Sequence, residues 1–129
     1  MTKRNFNLGD SECRMRQAFR RLGTDKPRCP VCGETDWRCM DLDHVAGQEF
    51  DHLKTMICAN CHRKKSDATK DHPQRTTSEP PNMLERIGHM LLGLVEWFSL
   101  IAESLRAFGL YLIRLAETAQ PYASAEQLP

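Results

Sequence analysis

The sequence predicts a small α+β protein: an N-terminal helix, a compact strand–loop–strand–helix module closed by a metal ion, and a long C-terminal helix with an apolar stripe. Three observations lead there. Two Cys-x-x-Cys pairs, Cys29/Cys32 and Cys58/Cys61, bracket two short partly alternating stretches. Residues 83–117 repeat large apolar side chains three and four apart. A stretch with three prolines and no large apolar residue, 73–82, separates the two patterns.

The elements follow in chain order. Residues 1–9 are polar and are expected to fray. Asp10 or Ser11 can cap a helix over ECRMRQAFRRL, where Met15, Ala18, Phe19 and Leu22 recur at helical spacing and Gly23 suits the stop. Arg14, Arg16, Arg20 and Arg21 lie largely off that stripe, either as a solvated face or as phosphate contacts. CPVCG reads as a tight knuckle. Residues 38–45 and 52–57 read as two short strands joined by the AGQEFD loop, and a helix over 58–72 runs out before Pro73.

Residues 73–82 read as a linker and domain boundary, dividing 1–72 (core 29–67) from the helix at 83–117, with 118–129 a disordered tail. In that helix Leu84, Ile87, Leu91, Leu94, Phe98, Ile101, Leu105, Phe108, Leu112 and Leu115 form a ten-position seam. Self-association, giving a homo-oligomer, and packing back on the module are both open. Glu96, Glu103 and Arg106 disfavour a membrane span, and an in-plane membrane helix is the remaining rival.

The chain has 129 residues and a net charge of +1, which by itself points to no polyanionic partner. The distribution is more informative. Residues 1–75 carry 15 Lys/Arg against 11 Asp/Glu, and the remainder 3 against 6, so the basic surplus travels with the Cys/His module. Residues 1–11 lack the apolar core of a secretion signal, which predicts a cytoplasmic protein in which disulfides are disfavoured. Cys13 and Cys39 then read as buried or half-buried free thiols, and the paired cysteines as ligands.

Two thiolates three apart on a turn reach one ion, and two such pairs complete a tetrahedron. The soft sulfur set selects zinc. Cys29, Cys32, Cys58 and Cys61 are thus expected to hold structural zinc with no open position for chemistry.

Between and beside those pairs lie Asp41-Leu42-Asp43-His44 and His62. CPVC…DLDHVAG…HLKTMICANCHRKKSD resembles the HNH endonucleases, the ββα-metal nucleases, over residues 29 to about 67. The resemblance implies a nuclease hydrolysing phosphodiesters, with His44 as the base that activates water. Asp43 and His62 would hold a catalytic Mg²⁺ or Mn²⁺ ion. Arg63, Lys64 and Lys65, with Arg20 and Arg21, would meet the phosphates of a nucleic acid, DNA in preference to RNA. A neutral imidazole suits a base near pH 7. Neighbours on a strand point to opposite faces, so Asp43 and His44 need a bend to serve one site.

The sequence departs from the family at its middle position, usually Asn. His52 is the candidate and Asp51 its competitor; Asn60 reads as a helix residue. Asp41 reads as a solvated neighbour, and His72 and His89 as incidental. The rival function is a non-catalytic zinc module binding nucleic acid or protein. A third reading makes the C-terminal helix the functional end and the module an adaptor.

Overall fold

The computed structural model describes residues 10–119; the expectations for residues 1–9 and for the tail beyond 119 lie outside the described residues. Helix α1 spans Ser11–Leu22. The Asp10 carboxylate accepts from the Glu12 N–H, and Gly23 ends the helix at φ 76°, a left-handed conformation that favours glycine. A short 3₁₀ turn, Trp37–Cys39, leads into strand β1, Met40–His44. Strand β2 is Lys54–Cys58, helix α2 is Ala59–Thr69, and helix α3 is Met83–Thr118. The two strands form an antiparallel sheet in which Met40 faces Cys58, Leu42 faces Met56 and His44 faces Lys54.

Both strands are shorter at their starts than the sequence predicts, for the same reason. Asp36 accepts from the Arg38 N–H and pairs with its guanidinium, which winds 37–39 into the 3₁₀ turn. Asp51 accepts from the N–H groups of His52 and Leu53, which consumes both in a turn. Each Asp offers the backbone a local alternative to the ladder. Cys39, expected to be at least half-buried, is exposed at the end of that 3₁₀ turn, whereas Cys13 is half-buried.

The core joins the module to α3. Met40, Val45 and Ile57 of the sheet region pack with Cys29, Val31, Cys58 and Cys61, and α3 adds Trp97 and Leu100. Asn82 caps α3 by accepting from the Glu85 N–H at 2.9 Å. The irregular connection before it is tied down by Arg75, whose Nε donates to Glu85 Oε2 at 3.1 Å and whose Nη2 donates to the Glu79 carbonyl. Gly93 lies against the chain after β1. A Cβ there would fall 1.8 Å from the Val45 carbonyl oxygen, so only glycine permits this approach.

Most of the apolar seam of α3 stands off this contact, and only Leu94 and Ile101 of it pack against the core. Gly93, Trp97 and Leu100 face the module, while Leu91, Phe98 and Leu105 remain 59 %, 64 % and 67 % exposed. Among the described residues no helix is long and apolar enough to cross a membrane.

Candidate metal centre and adjoining acid–imidazole cluster

The Cys29–Gly33 turn closes through the Gly33 N–H, which donates to the Cys29 carbonyl at 2.9 Å with Gly33 at φ 82°. The Cys29 N–H donates in turn to the Glu34 carbonyl at 2.8 Å. Cys58 and Cys61 sit at the start of α2, and the Cys58 sulfur caps that helix by accepting from the Cys61 N–H at 3.4 Å. These two turns bring the four sulfurs within 4.8 Å of one another. Cys32 Sγ and Cys58 Sγ lie 3.5 Å apart, close to the ~3.8 Å edge of a zinc–sulfur tetrahedron with bonds of about 2.3 Å. The cluster is positioned for zinc.

The thiol electrostatics fit a missing cation charge. Burial alone pushes Cys29 up, but backbone hydrogen bonds at Cys32, Cys58 and Val31 outweigh it and bring the thiol down to about 7. Burial pushes Cys32 up, and burial with the neighbouring Cys58 and Cys32 sulfurs pushes Cys61 up. Four close sulfurs do not all ionise unaided; a divalent ion removes that penalty.

One residue past Cys61, His62 faces β1. Its Nδ1 lies 3.0 Å from Asp41 Oδ2 and its Nε2 lies 3.3 Å from Asp43 Oδ1. Asp41 and Asp43 share one strand face, and His62 and Lys65 share one helix face, so the two periods bring these side chains together. Asp43 is only 6 % exposed, and its second oxygen is occupied. Lys65 Nζ stands 3.0 Å from Asp43 Oδ2, and Trp97 Nε1 donates to the same oxygen at 2.9 Å. Lys65 also donates to the Val45 carbonyl at 3.1 Å. The Asp43 carboxylate is therefore anchored by one oxygen and presents the other to His62.

His44, the last residue of β1, lines the same cleft as Asp43, His62 and Lys65. The cleft has a volume of about 550 Å³. It is also lined by His72 and Arg75 of the connection and by His89 and Gly93 of α3. His72 Nε2 lies 3.0 Å from Glu96 Oε1, and the His89 ring stacks on Phe50 with centroids 3.7 Å apart.

Several expected site residues lie elsewhere. His52 is not brought to His44. In the register His44 already faces Lys54, so His52 falls beyond the ladder, in the turn that Asp51 closes. Both line a separate groove against the start of α3. Lys65, grouped by sequence with Arg63 and Lys64, turns inward and is 3 % exposed, because it lies one helical turn from His62 on the face toward the sheet. Arg63, Lys64 and Arg20 are exposed, whereas Arg21 Nη2 donates to the Met40 carbonyl at 3.3 Å and ties α1 to β1. Asp41 is half-buried and paired with His62 instead of free in solvent. Asn60 lies exposed on α2.

Sequence reasoning missed Trp97, Glu96, His72 and His89 as neighbours of this cleft. A signal existed: His89, Gly93, Glu96, Trp97 and Leu100 share one side of α3, where a glycine and two polar residues stand apart from the apolar seam. Compared with protein-family models, with curated proteins and with solved structures, the chain gives no match.

Proposed function

We propose that this protein is a metal-dependent endonuclease of the HNH type that hydrolyses nucleic-acid phosphodiesters, DNA in preference to RNA. The observation that carries the reading is the 3.3 Å separation of Asp43 Oδ1 and His62 Nε2 in a cleft that His44 also lines. Adjacent ligands of an octahedral ion with bonds of about 2.1 Å stand ~3 Å apart, so this pair fits Mg²⁺ or Mn²⁺. The Asp41 carboxylate at His62 Nδ1 supports it, since a ligating imidazole is commonly held through its other nitrogen.

In this reading Trp97 and Lys65 hold Asp43 Oδ2 and so aim Oδ1 at the ion. His44 removes a proton from the attacking water. Asp43 and His62 would hold the divalent ion, which when bound would supply positive charge to the scissile phosphate and the leaving 3′ oxygen. Exposed Arg63, Lys64 and Arg20 attract the flanking phosphates. The four cysteines, with structural zinc, keep β2 and the start of α2 in place, which fixes His62 beside Cys61.

One observation favours a non-catalytic zinc module instead. Lys65 already neutralises Asp43 in a buried pair, an arrangement that a purely structural network would also show. Plasmid cleavage with Mg²⁺, Mn²⁺ or EDTA, run with zinc quantification, separates the two readings. The nuclease reading expects cleavage that EDTA abolishes, and His44→Ala losing at least ~100-fold in rate, the general-base contribution, with zinc content unchanged. Absence of cleavage by the zinc-loaded wild type with every divalent ion would leave the binding module.

A further inference from the structure

We infer that the outward face of α3 is a self-association surface, occupied by the same face of a second copy of this chain. The inference is independent of whether the cleft hydrolyses anything.

Thirteen of the fourteen large exposed hydrophobic residues among those described lie on α3. They are not scattered. Eight of the ten seam positions are exposed, from Leu84 near one end of the helix to Leu115 near the other, and they keep the seven-residue repeat across the partly covered Leu94 and Ile101. That regularity is what a helix needs to interlock with another helix, and an irregular partner surface would not require it.

The module covers this stripe only at Leu94 and Ile101, which are partly buried against its core. It already holds α3 by Gly93, Trp97 and Leu100 on another face, and Trp97 is bonded to Asp43. Beyond Leu100 the helix runs on through Leu105, Phe108, Leu112 and Leu115, all exposed. At 1.5 Å per residue the part after Leu100 extends about 27 Å.

The size of the surface fits one more helix. The exposed fraction of the eight seam residues amounts to on the order of 900 Å² per copy, comparable with the ~800 Å² that each partner contributes to a standard interface. Burial of that area in a symmetric pair needs no further component, because the seam is its own complement. Small residues lie beside it at Gly88, Ala102 and Gly109, so a second helix can approach closely there.

The charge pattern argues against a lipid surface. An in-plane membrane helix flanks its apolar face with Lys and Arg. Helix α3 has three Arg, no Lys and four Glu, so its polar flank is slightly acidic.

Sedimentation velocity of the full zinc-loaded chain at micromolar concentration tests the inference. The expected mass is twice the 14.8 kDa of one chain. The triple variant Leu91→Glu, Phe98→Glu, Leu105→Glu changes only residues exposed in the single copy. It is expected to sediment at half the wild-type mass with zinc per chain unchanged. Glu103→Lys, on the polar flank, is expected to keep the double mass and to show that added charge alone does not dissociate the pair. A wild-type chain of single mass would overturn the inference, as would a triple variant that retains the double mass. Flotation of a single-mass chain with phosphatidylcholine or phosphatidylserine vesicles would overturn it in favour of lipid.

Discussion

The two polar clusters of the module are neighbours in sequence at Cys61 and His62, yet they are built in opposite ways. The four sulfurs come from two tight local turns, one closed by Gly33 and the other by the start of α2. The Asp43 cluster draws on β1, α2 and α3, and its indole arrives from 54 residues along the chain. In the first cluster like groups crowd together, positioned to take up an added cation. In the second, opposite charges already meet, since Lys65 stands 3.0 Å from Asp43. A site made by local turns survives the loss of distant elements; a site made by docking does not.

Perturbing the sulfur cluster should have the largest effect. Structural zinc in small modules contributes about 10 kcal/mol or more at neutral pH. Chelation of zinc is therefore expected to abolish the cooperative melt of the module by circular dichroism; a melt unchanged by the chelator would break the assignment. The pH dependence has a definite sign. In the metal-free fold the Cys32 and Cys61 thiols are raised from 9.0, so both are protonated at neutral pH and zinc must displace those protons. Zinc affinity is expected to fall at least about 100-fold for each pH unit of acidification near neutrality, as displacement of these two protons requires. Competition with a chromogenic chelator at two pH values measures it, and a slope below two protons would contradict the thiol electrostatics.

Removal of Asp43 comes next. Asp43→Ala leaves the Lys65 ammonium buried without its partner, an effect of about 3–5 kcal/mol. Urea unfolding of the zinc-loaded protein should show it, and adding Lys65→Met should restore part of the loss. A change under about 1 kcal/mol would mean that the pair is open to water.

The smallest effect isolates the docked helix. Trp97→Phe keeps most of the packing and removes one donor to an ionised acceptor, about 1.5–3 kcal/mol. Zinc affinity should not change, because none of the four sulfurs touches α3 through that bond. If zinc affinity fell in parallel with stability, the two clusters would not be separable as described.

The same contrast decides what could be read in advance. The Cys-x-x-Cys spacing specifies its own geometry, so the sulfur cluster was legible from residue numbers alone. Helix caps at Asp10 and Gly23 follow equally local rules. The β1–β2 register needed more, because Asp36 and Asp51 each divert two or three residues into turns, and this moved His52 out of the expected place. Helix α3 was legible as a helix, but not by its contact face. The strongest apolar pattern marks the outward side, and the inward side is chosen by one glycine that admits the Val45 carbonyl and one indole that finds a buried carboxylate. Hydrophobic periodicity ranks faces by apolarity; it does not register a single close approach or a specific donor.

Gly93 also acts as a fulcrum. It seats a 36-residue rod on the edge of the module about a third of the way along the rod, with Trp97 one turn away and the far end about 37 Å off. A rock of only ~5° about that point carries the tip roughly 3 Å but moves the indole by about half an ångström, enough to stretch a 2.9 Å hydrogen bond out of its normal range. A torque applied at the end of α3 is thereby geared down onto the carboxylate of Asp43.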